Sequence, residues 1–488
     1  MPTYLGQCDE VRPACGKCVK ANRVCSGYTD GFDLVLRDQN QTAKLQVERR
    51  QKKTRETQVS EAQPRQWSPS STAILSSLAE AEETHALSFF VSTFVFYPRD
   101  TSADRGFLEL LPLLFGNLKQ NSPLSLSLTA ASYVLFGKWE RRLKDVETPA
   151  FPFHAKALKA TILALQDPVE STSDETLMAV CLLGFYEASI SAMNARISSP
   201  RHFNGAAALI KQRLSGQTNE LVKKLVIAVR NNIIFRAIQF SLPIDTTSGI
   251  WEDSDTLPQS PAALLDLISV DVANLLATAA NQPSSLIIDI TQELNGRGEV
   301  LNEPHELLTR AKAVDANLAK WIEMIPVHWI PHSVSADDIP QSVIDAGMYG
   351  DKCDIYPDIM ICSTFNDWRV VRLKVLGLVA RLGSNDSCVA AMRTIQRLVD
   401  GISASIPFSL GSRTTPGPLY EMKVEYPSLP GCTASKAHHT TACAYGGWYL
   451  FAPLKETMNV ARYLRAGQRE WLNLQLLRLA TMFDVEPA

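Results

Sequence analysis

The sequence lacks the motifs on which the common enzyme chemistries rest. Its 488 residues contain no G-x-S-x-G nucleophile turn, no H-E-x-x-H helix, no glycine-rich phosphate loop and no dinucleotide fingerprint. The expectation is a chain that is not an enzyme. Histidine is also scarce, with eight in all, and only His438-His439, near Cys432 and Cys443, stand together. Successive helical residues point about 100° apart, so neighbouring histidines seldom serve one ion, and the pair reads as a loop-to-helix junction. His202 reads as a hydrogen-bonded helix residue. His328 and His332 read as packing against the Trp329-Ile330-Pro331 turn between them, and the carboxylates Asp351 and Asp354 show no partner pattern.

Long apolar runs are missing too. No stretch approaches the roughly 18 uncharged apolar residues that a membrane span needs, and no secretory segment opens the chain. Strict period-two alternation is nearly absent, which leaves little room for half-buried strands. Cys181, Cys353, Cys362, Cys388, Cys432 and Cys443 are scattered singly, the distribution of buried thiols in a reducing compartment. Together these point to an intracellular chain with no membrane partner. The 45% hydrophobic content can bury a large core, and the length suits two to four structural units. The net charge of −3 is unevenly spread. Residues 1–58 hold 11 Lys/Arg against 7 Asp/Glu, a net of +4, which leaves −7 on the rest. A basic head on an acidic body suits a polyanion-binding segment attached to a domain that does not itself bind nucleic acid.

What the chain does have is four cysteines within eighteen residues, Cys8-x6-Cys15-x2-Cys18-x6-Cys25. Thiolates at such intervals can close on one ion, as a tetrahedral zinc site requires. The other readings are a redox pair at Cys15 and Cys18, or four unligated thiols. A redox pair ordinarily follows a strand-to-helix turn, a context that Pro13, Lys17, Lys20 and Arg23 do not provide.

The segment CDEVRPACGKCVKANRVC resembles the second part of the fungal binuclear zinc cluster of the Zn2Cys6 transcription factors. By spacing, Cys8, Cys15, Cys18 and Cys25 match the third to sixth ligands of that family, and Pro13 falls where its linker proline lies. The following SGYTDGFDLVLRD also looks like the continuation found in one subgroup. Only Met1 to Gln7 precede Cys8, so the first cysteine pair and the arm that reads bases in the major groove have no counterpart here. The resemblance implies at most one zinc, with Cys8 joining Cys15, Cys18 and Cys25 as a fourth ligand. It also implies phosphate contacts from Lys17, Lys20 and Arg23. Such contacts position a protein on DNA, whereas base contacts specify the sequence. The basic cluster Arg49, Arg50, Lys52, Lys53 and Arg55 reads as a nuclear-import signal, a phosphate-contacting linker or a solvated helix face. Leu45 and Val47 are followed by no sustained heptad.

The remaining sequence divides into a partial zinc cluster (1–28), a basic and polar linker (29–72) and a helical body (73–488), giving an all-α fold class. Ser260-Pro261 reads as a helix cap followed by a first-turn proline, with Leu264, Ile268, Val272 and Leu275 on one face. Leu472, Leu476, Leu479 and Met482 repeat that spacing, and Leu177 to Phe185 reads as a core segment. Pro98 to Gly106, Glu147 to Pro152, Pro243 to Pro258, Ile325 to Pro340 and Pro407 to Pro430 read as loops. Residues 202–209, HFNGAAAL, and 444–454, AYGGWYLFAPL, resemble two helices of the fungal-specific transcription factor domain; in the first, glycine and alanine let two helices approach closely. The two resemblances imply a nuclear, zinc-dependent regulator of transcription with a helical regulatory body, acting on a pathway-specific metabolic gene set. Its partners would be double-stranded DNA with CGG triplets and a second subunit in a homodimer or heterodimer. The alternative is a regulator that works through protein contacts because the groove-reading arm is missing, unless an upstream exon encodes that arm.

Overall fold

Helices in this chain begin where a short polar side chain precedes an apolar run. The computed structural model describes residues 82–137, 147–193, 199–214, 219–247, 249–251, 260–282, 303–415 and 423–483. Along them run α1 (Glu82–Phe94), α2 (Leu111–Leu114), α3 (Pro123–Phe136), α4 (Glu147–Gln166), α5 (Asp174–Met193) and α6 (Arg201–Leu214). There follow α7 (Glu220–Phe240), α8 (Pro261–Ala280), α9 (Glu303–Met324), β1 (His332–Ser335), α10 (Gln341–Gly347) and β2 (Lys352–Ile355). The last are α11 (Ile359–Leu382), α12 (Asn385–Leu410), α13 (Lys436–Thr441), α14 (Phe451–Asn459) and α15 (Gln468–Phe483). Side-chain oxygens satisfy the free amides of several first turns. Ser122 Oγ accepts from Ser125 N at 3.2 Å, Asn219 Oδ1 from Val222 N at 2.8 Å, and Asp358 Oδ1 from Ile361 N at 2.9 Å. Ser260 Oγ accepts from Ala263 N at 3.1 Å, with Pro261 as the first helical residue, as its sequence predicts.

Two extensively buried helices act as hubs. α3 buries Leu124, Leu128, Val134 and Phe136 and packs against α1, α4 and α5. α11 buries residues along its whole length and packs against α8, α9, α12 and α14. The series α5, α6, α7, α8 connects them. Between α9 and α11, Trp321 and Trp368 stack with centroids 5.8 Å apart. Their indoles donate to backbone carbonyls, Trp321 Nε1 to Pro261 O and Trp368 Nε1 to Leu318 O, each at 2.7 Å. Buried indole N–H groups thus keep partners, which spares the cost of an unmet donor.

The described residues are mostly α-helical, as the sequence predicts, with one addition. β1 and β2 pair antiparallel, Val334 opposite Cys353, and β1 lies within the 325–340 stretch read as loop. Each strand has four residues, too short for alternation to register. The core expectation for Leu177 to Phe185 holds through Leu183, since 177–183 are all buried. Leu472, Leu479 and Met482 are buried as well, with Leu476 packed beside them. On α8 Val272 and Leu275 are buried as expected, while Leu264 and Ile268 are half-buried against the core and the seam extends through Ala262, Leu265, Asp266, Ser269, Val270 and Ala273. α8 is long and apolar enough to cross a membrane by length and composition; half of it is buried inside the body, and it carries Asp266 and Asp271.

Three loop boundaries are corrected. α4 starts at Glu147 and contains Pro152 inside the helix, past its first turn. α12 continues past Pro407 to Leu410. The stretch 325–340 is divided among a 3-10 turn, β1 and a second 3-10 turn. Between α5 and α6 the close approach falls on Gly184, where an added Cβ would lie 3.0 Å from Phe203 Cε2. The motif residue Gly205 has only Val180 nearby, at 4.0 Å.

Candidate functional site

Cys8, Cys15, Cys18, Cys25, Lys17, Lys20, Arg23, Arg49, Arg50, Lys52, Lys53 and Arg55 lie outside the described residues. Among the described residues, no group of three or more His, Cys, Asp or Glu is arranged to hold a metal ion. The chemistry that the body does gather comes from the loop after α1, where Asp100, Asp104, Arg105 and Glu109 enter the interior.

Asp100 is the most fully engaged of these. Its Oδ1 accepts from Ser102 N at 2.9 Å and Ser102 Oγ at 2.6 Å. Its Oδ2 accepts from Trp329 Nε1 at 2.6 Å and lies 2.7 Å from His328 Nε2. Burial alone would raise the carboxyl, but these donors favour its charged form and hold it well below the usual range. The expected packing of His328 near the Trp329 turn is therefore a hydrogen bond to a distant loop, while His332 is exposed on β1.

Arg105 links two helices. Its Nη1 donates to Asp367 Oδ2 of α11 at 2.9 Å and its Nη2 to Ala262 O of α8 at 3.3 Å. Its Nε stands 3.5 Å from Asp266 Oδ1 and makes no hydrogen bond. Asn231 Nδ2 donates to the same Asp266 oxygen at 3.3 Å. Burial raises Asp266 and pushes Asp367 up to about 6, each against the pull of Arg105. On the other side of the loop, Lys224 Nζ of α7 lies 3.8 Å from Asp104 Oδ2 and 3.7 Å from Glu109 Oε1. Glu109 is pushed up to about 8, first by burial and then by the charge of Asp104.

The segment before α14 closes this region. The resemblance implied one helix over 444–454; instead a π turn (Ala442–Gly446) leads through a 3-10 turn (Trp448–Leu450) into α14. Gly446 permits the irregular path, because a Cβ there would sit 2.1 Å from the Ser409 carbonyl oxygen on α12. Tyr445 and Tyr449 consequently stack with centroids 5.5 Å apart and planes 9° from parallel. The Tyr445 hydroxyl donates to Phe94 O. Burial raises both phenols, and Asp104 and Glu109 act on each.

The remaining histidines and carboxylates resolve as follows. Ser435 caps α13, and His438 behind it packs 4.3 Å from Phe408 and 4.8 Å from Tyr426. Burial pushes His438 down to about 4. His439 Nδ1 is 3.9 Å from Cys443 Sγ, which lies 3.3 Å from the Tyr426 hydroxyl; Cys432 is exposed. His202 Nδ1 lies 3.0 Å from Glu187 Oε2, at angles that do not make the expected hydrogen bond. Asp354, without a legible partner in sequence, accepts from Ser333 Oγ at 2.6 Å and faces Arg369 Nη2 at 3.9 Å. The sequence signal for the interior site was only the charge density of 99–109, RDTSADRGFLE, ahead of an apolar run.

No protein-family model matches the chain, and no solved structure does. It is similar to transcription factor dbaG of Emericella nidulans, with 22% identity over 339 residues that cover 67% of this chain and 74% of that protein.

Proposed function

We propose that this chain is a fungal transcription factor of the zinc-cluster type, working in the nucleus and without enzymatic activity. The likeness to dbaG supports the transcription-factor reading over most of the helical body. The four-cysteine spacing at Cys8, Cys15, Cys18 and Cys25 carries the finer one. One zinc held by these thiolates stiffens a short basic leader, because metal binding supplies folding free energy that so small a segment lacks. Lys17, Lys20 and Arg23 then meet DNA phosphates, while the acidic body regulates. The metabolic gene set and the dimer partner follow from the same resemblance.

The test is binding of the full chain to duplexes with CGG triplets, measured by fluorescence anisotropy across a salt series. Each phosphate contact removed should flatten the slope of log affinity against log salt by roughly 0.9. Lys17→Ala and Lys20→Ala are therefore expected to lower both affinity and slope. Unchanged slopes in both variants, or equal binding with zinc removed, would sink the reading.

A further inference from the structure

α4 is packed with its small residues inward and its large ones outward. Ala150, Ala157 and Ala164, spaced seven apart and so on one face of a helix, are buried together with Thr161. Ala157 fits between Leu126 of α3 and Leu183 of α5. On the far side Phe151, Ile162, Leu163 and Leu165, with Val169 just past the helix end, are between 41% and 76% exposed. Single exposed apolar side chains need no explanation; five within nineteen residues form a patch of the kind that marks an interaction surface. Phe151, Ala155, Ile162 and Leu165 follow helical spacing, and all four are exposed. They make a stripe about 21 Å long at 1.5 Å per residue.

The charge beside the stripe is of one sign. No Asp or Glu occurs between Glu147 and Asp167, whereas Lys156 and Lys159 stand exposed midway along the helix. Lys156 Nζ lies over the Phe153 ring, 5.5 Å from its centroid, which keeps its charge next to the apolar side chains. The acids at the C-terminal end are engaged locally. Asp167 accepts from Val169 N and Glu170 N at 2.8 and 3.0 Å, and Glu170 lies 4.0 Å from Lys119.

We propose that this face of α4 docks an amphipathic helix of another protein, one whose apolar stripe is flanked by Asp and Glu. Apolar anchors at helical spacing suit a helix lying alongside, and acidic flanks answer Lys156 and Lys159. A second copy of this chain fits less well. Two-fold pairing sets the same patch on both partners, and lysines at the middle of α4 would then meet each other. An anionic bilayer fits less well too, because the chain beyond residue 58 carries a net charge of −7 and would be repelled from it.

The inference stands whether or not the leader binds DNA. The probe is an 18-residue alanine-based peptide with Leu at i, i+3, i+4 and i+7 flanked by Glu, labelled for fluorescence anisotropy with the full chain at 0.15 M salt. Its controls are the same peptide with Lys in place of Glu, and one with the Leu positions scrambled. The Glu peptide should bind one per chain and at least fivefold more tightly than either control. Net charge favours the Lys peptide, so the reverse preference reports the local face, charges beyond about 8 Å being screened at this salt. Ile162→Gln with Leu163→Gln should weaken binding at least fivefold while far-UV circular dichroism stays unchanged. Lys156→Glu with Lys159→Glu should transfer the preference to the Lys peptide. Absent or equal binding of the three peptides, or an unaltered preference after charge reversal, overturns the proposal. So does self-association, or partition onto phosphatidylcholine–phosphatidylserine vesicles, that the Ile162→Gln, Leu163→Gln pair abolishes, since the face would then belong to a second copy or to lipid.

Discussion

His438 shows how a residue unremarkable in sequence acquires a measurable role from its surroundings. Packed against Phe408 and Tyr426, it is pushed down from 6.5 to about 4, chiefly by burial. Between those values the unfolded chain binds more protons than the folded one, so stability rises with pH. The full contribution is present above about 6.5 and is lost as pH falls toward 4, a deficit of roughly 3 kcal/mol at one pKa unit per 1.36 kcal/mol. Urea titrations at pH 7 and pH 4.5 should therefore show a smaller acid-side loss in His438→Phe than in the parent chain. Equal losses would refute the assignment. The sequence placed the His438-His439 pair at a loop-to-helix junction, and the structure adds the Ser435 cap. The sequence alone could not show which imidazole turns inward, since Phe408 and Tyr426 come from other elements.

At the scale of elements, helix starts were the most legible feature, and close contacts between helices the least. Ser260-Pro261 announces α8 because capping is chemistry between neighbours in sequence. On α8 Val272 and Leu275 were legible as buried, but the burial of Asp266 depends on Arg105 and Asn231, which come from distant elements. Glycine shows the same divide. Gly205 belongs to the motif shared with the resembled family, yet it has room, whereas Gly446 abuts a carbonyl of α12. Gly205→Ala should stabilise by about 0.5–1 kcal/mol, the helix-interior advantage of alanine. Gly446→Ala should destabilise by about 3 kcal/mol through overpacking. Chemical denaturation of both variants measures the pair, and the opposite order of effects would contradict the packing of the π turn on α12.

For the whole molecule, the two kinds of site differ in how far their parts lie apart along the chain. The cysteine cluster spans eighteen residues and could be read at once from its spacing. The interior charges come from 104–109, Lys224, Asp266 and Asp367, and no local pattern joins them. The separation has an experimental counterpart. Chelation of zinc should abolish DNA binding while leaving far-UV helicity and the thermal transition of the body unchanged, because the body's described core and interior charges come from residue 82 onward. Loss of most helicity on chelation would mean that the metal organises more than the leader. The reach of Arg105 carries a further consequence for biosynthesis. Its partner Asp367 follows 262 residues later, so at about 5–20 residues per second the guanidinium leaves the ribosome roughly ten to fifty seconds before its counter-ion exists. Nascent chains stalled short of α11 would offer that arginine only the α8 partners Asp266 and Ala262, with the hub that packs α8, α9, α12 and α14 still missing, which makes them natural clients for chaperones and for quality-control proteolysis.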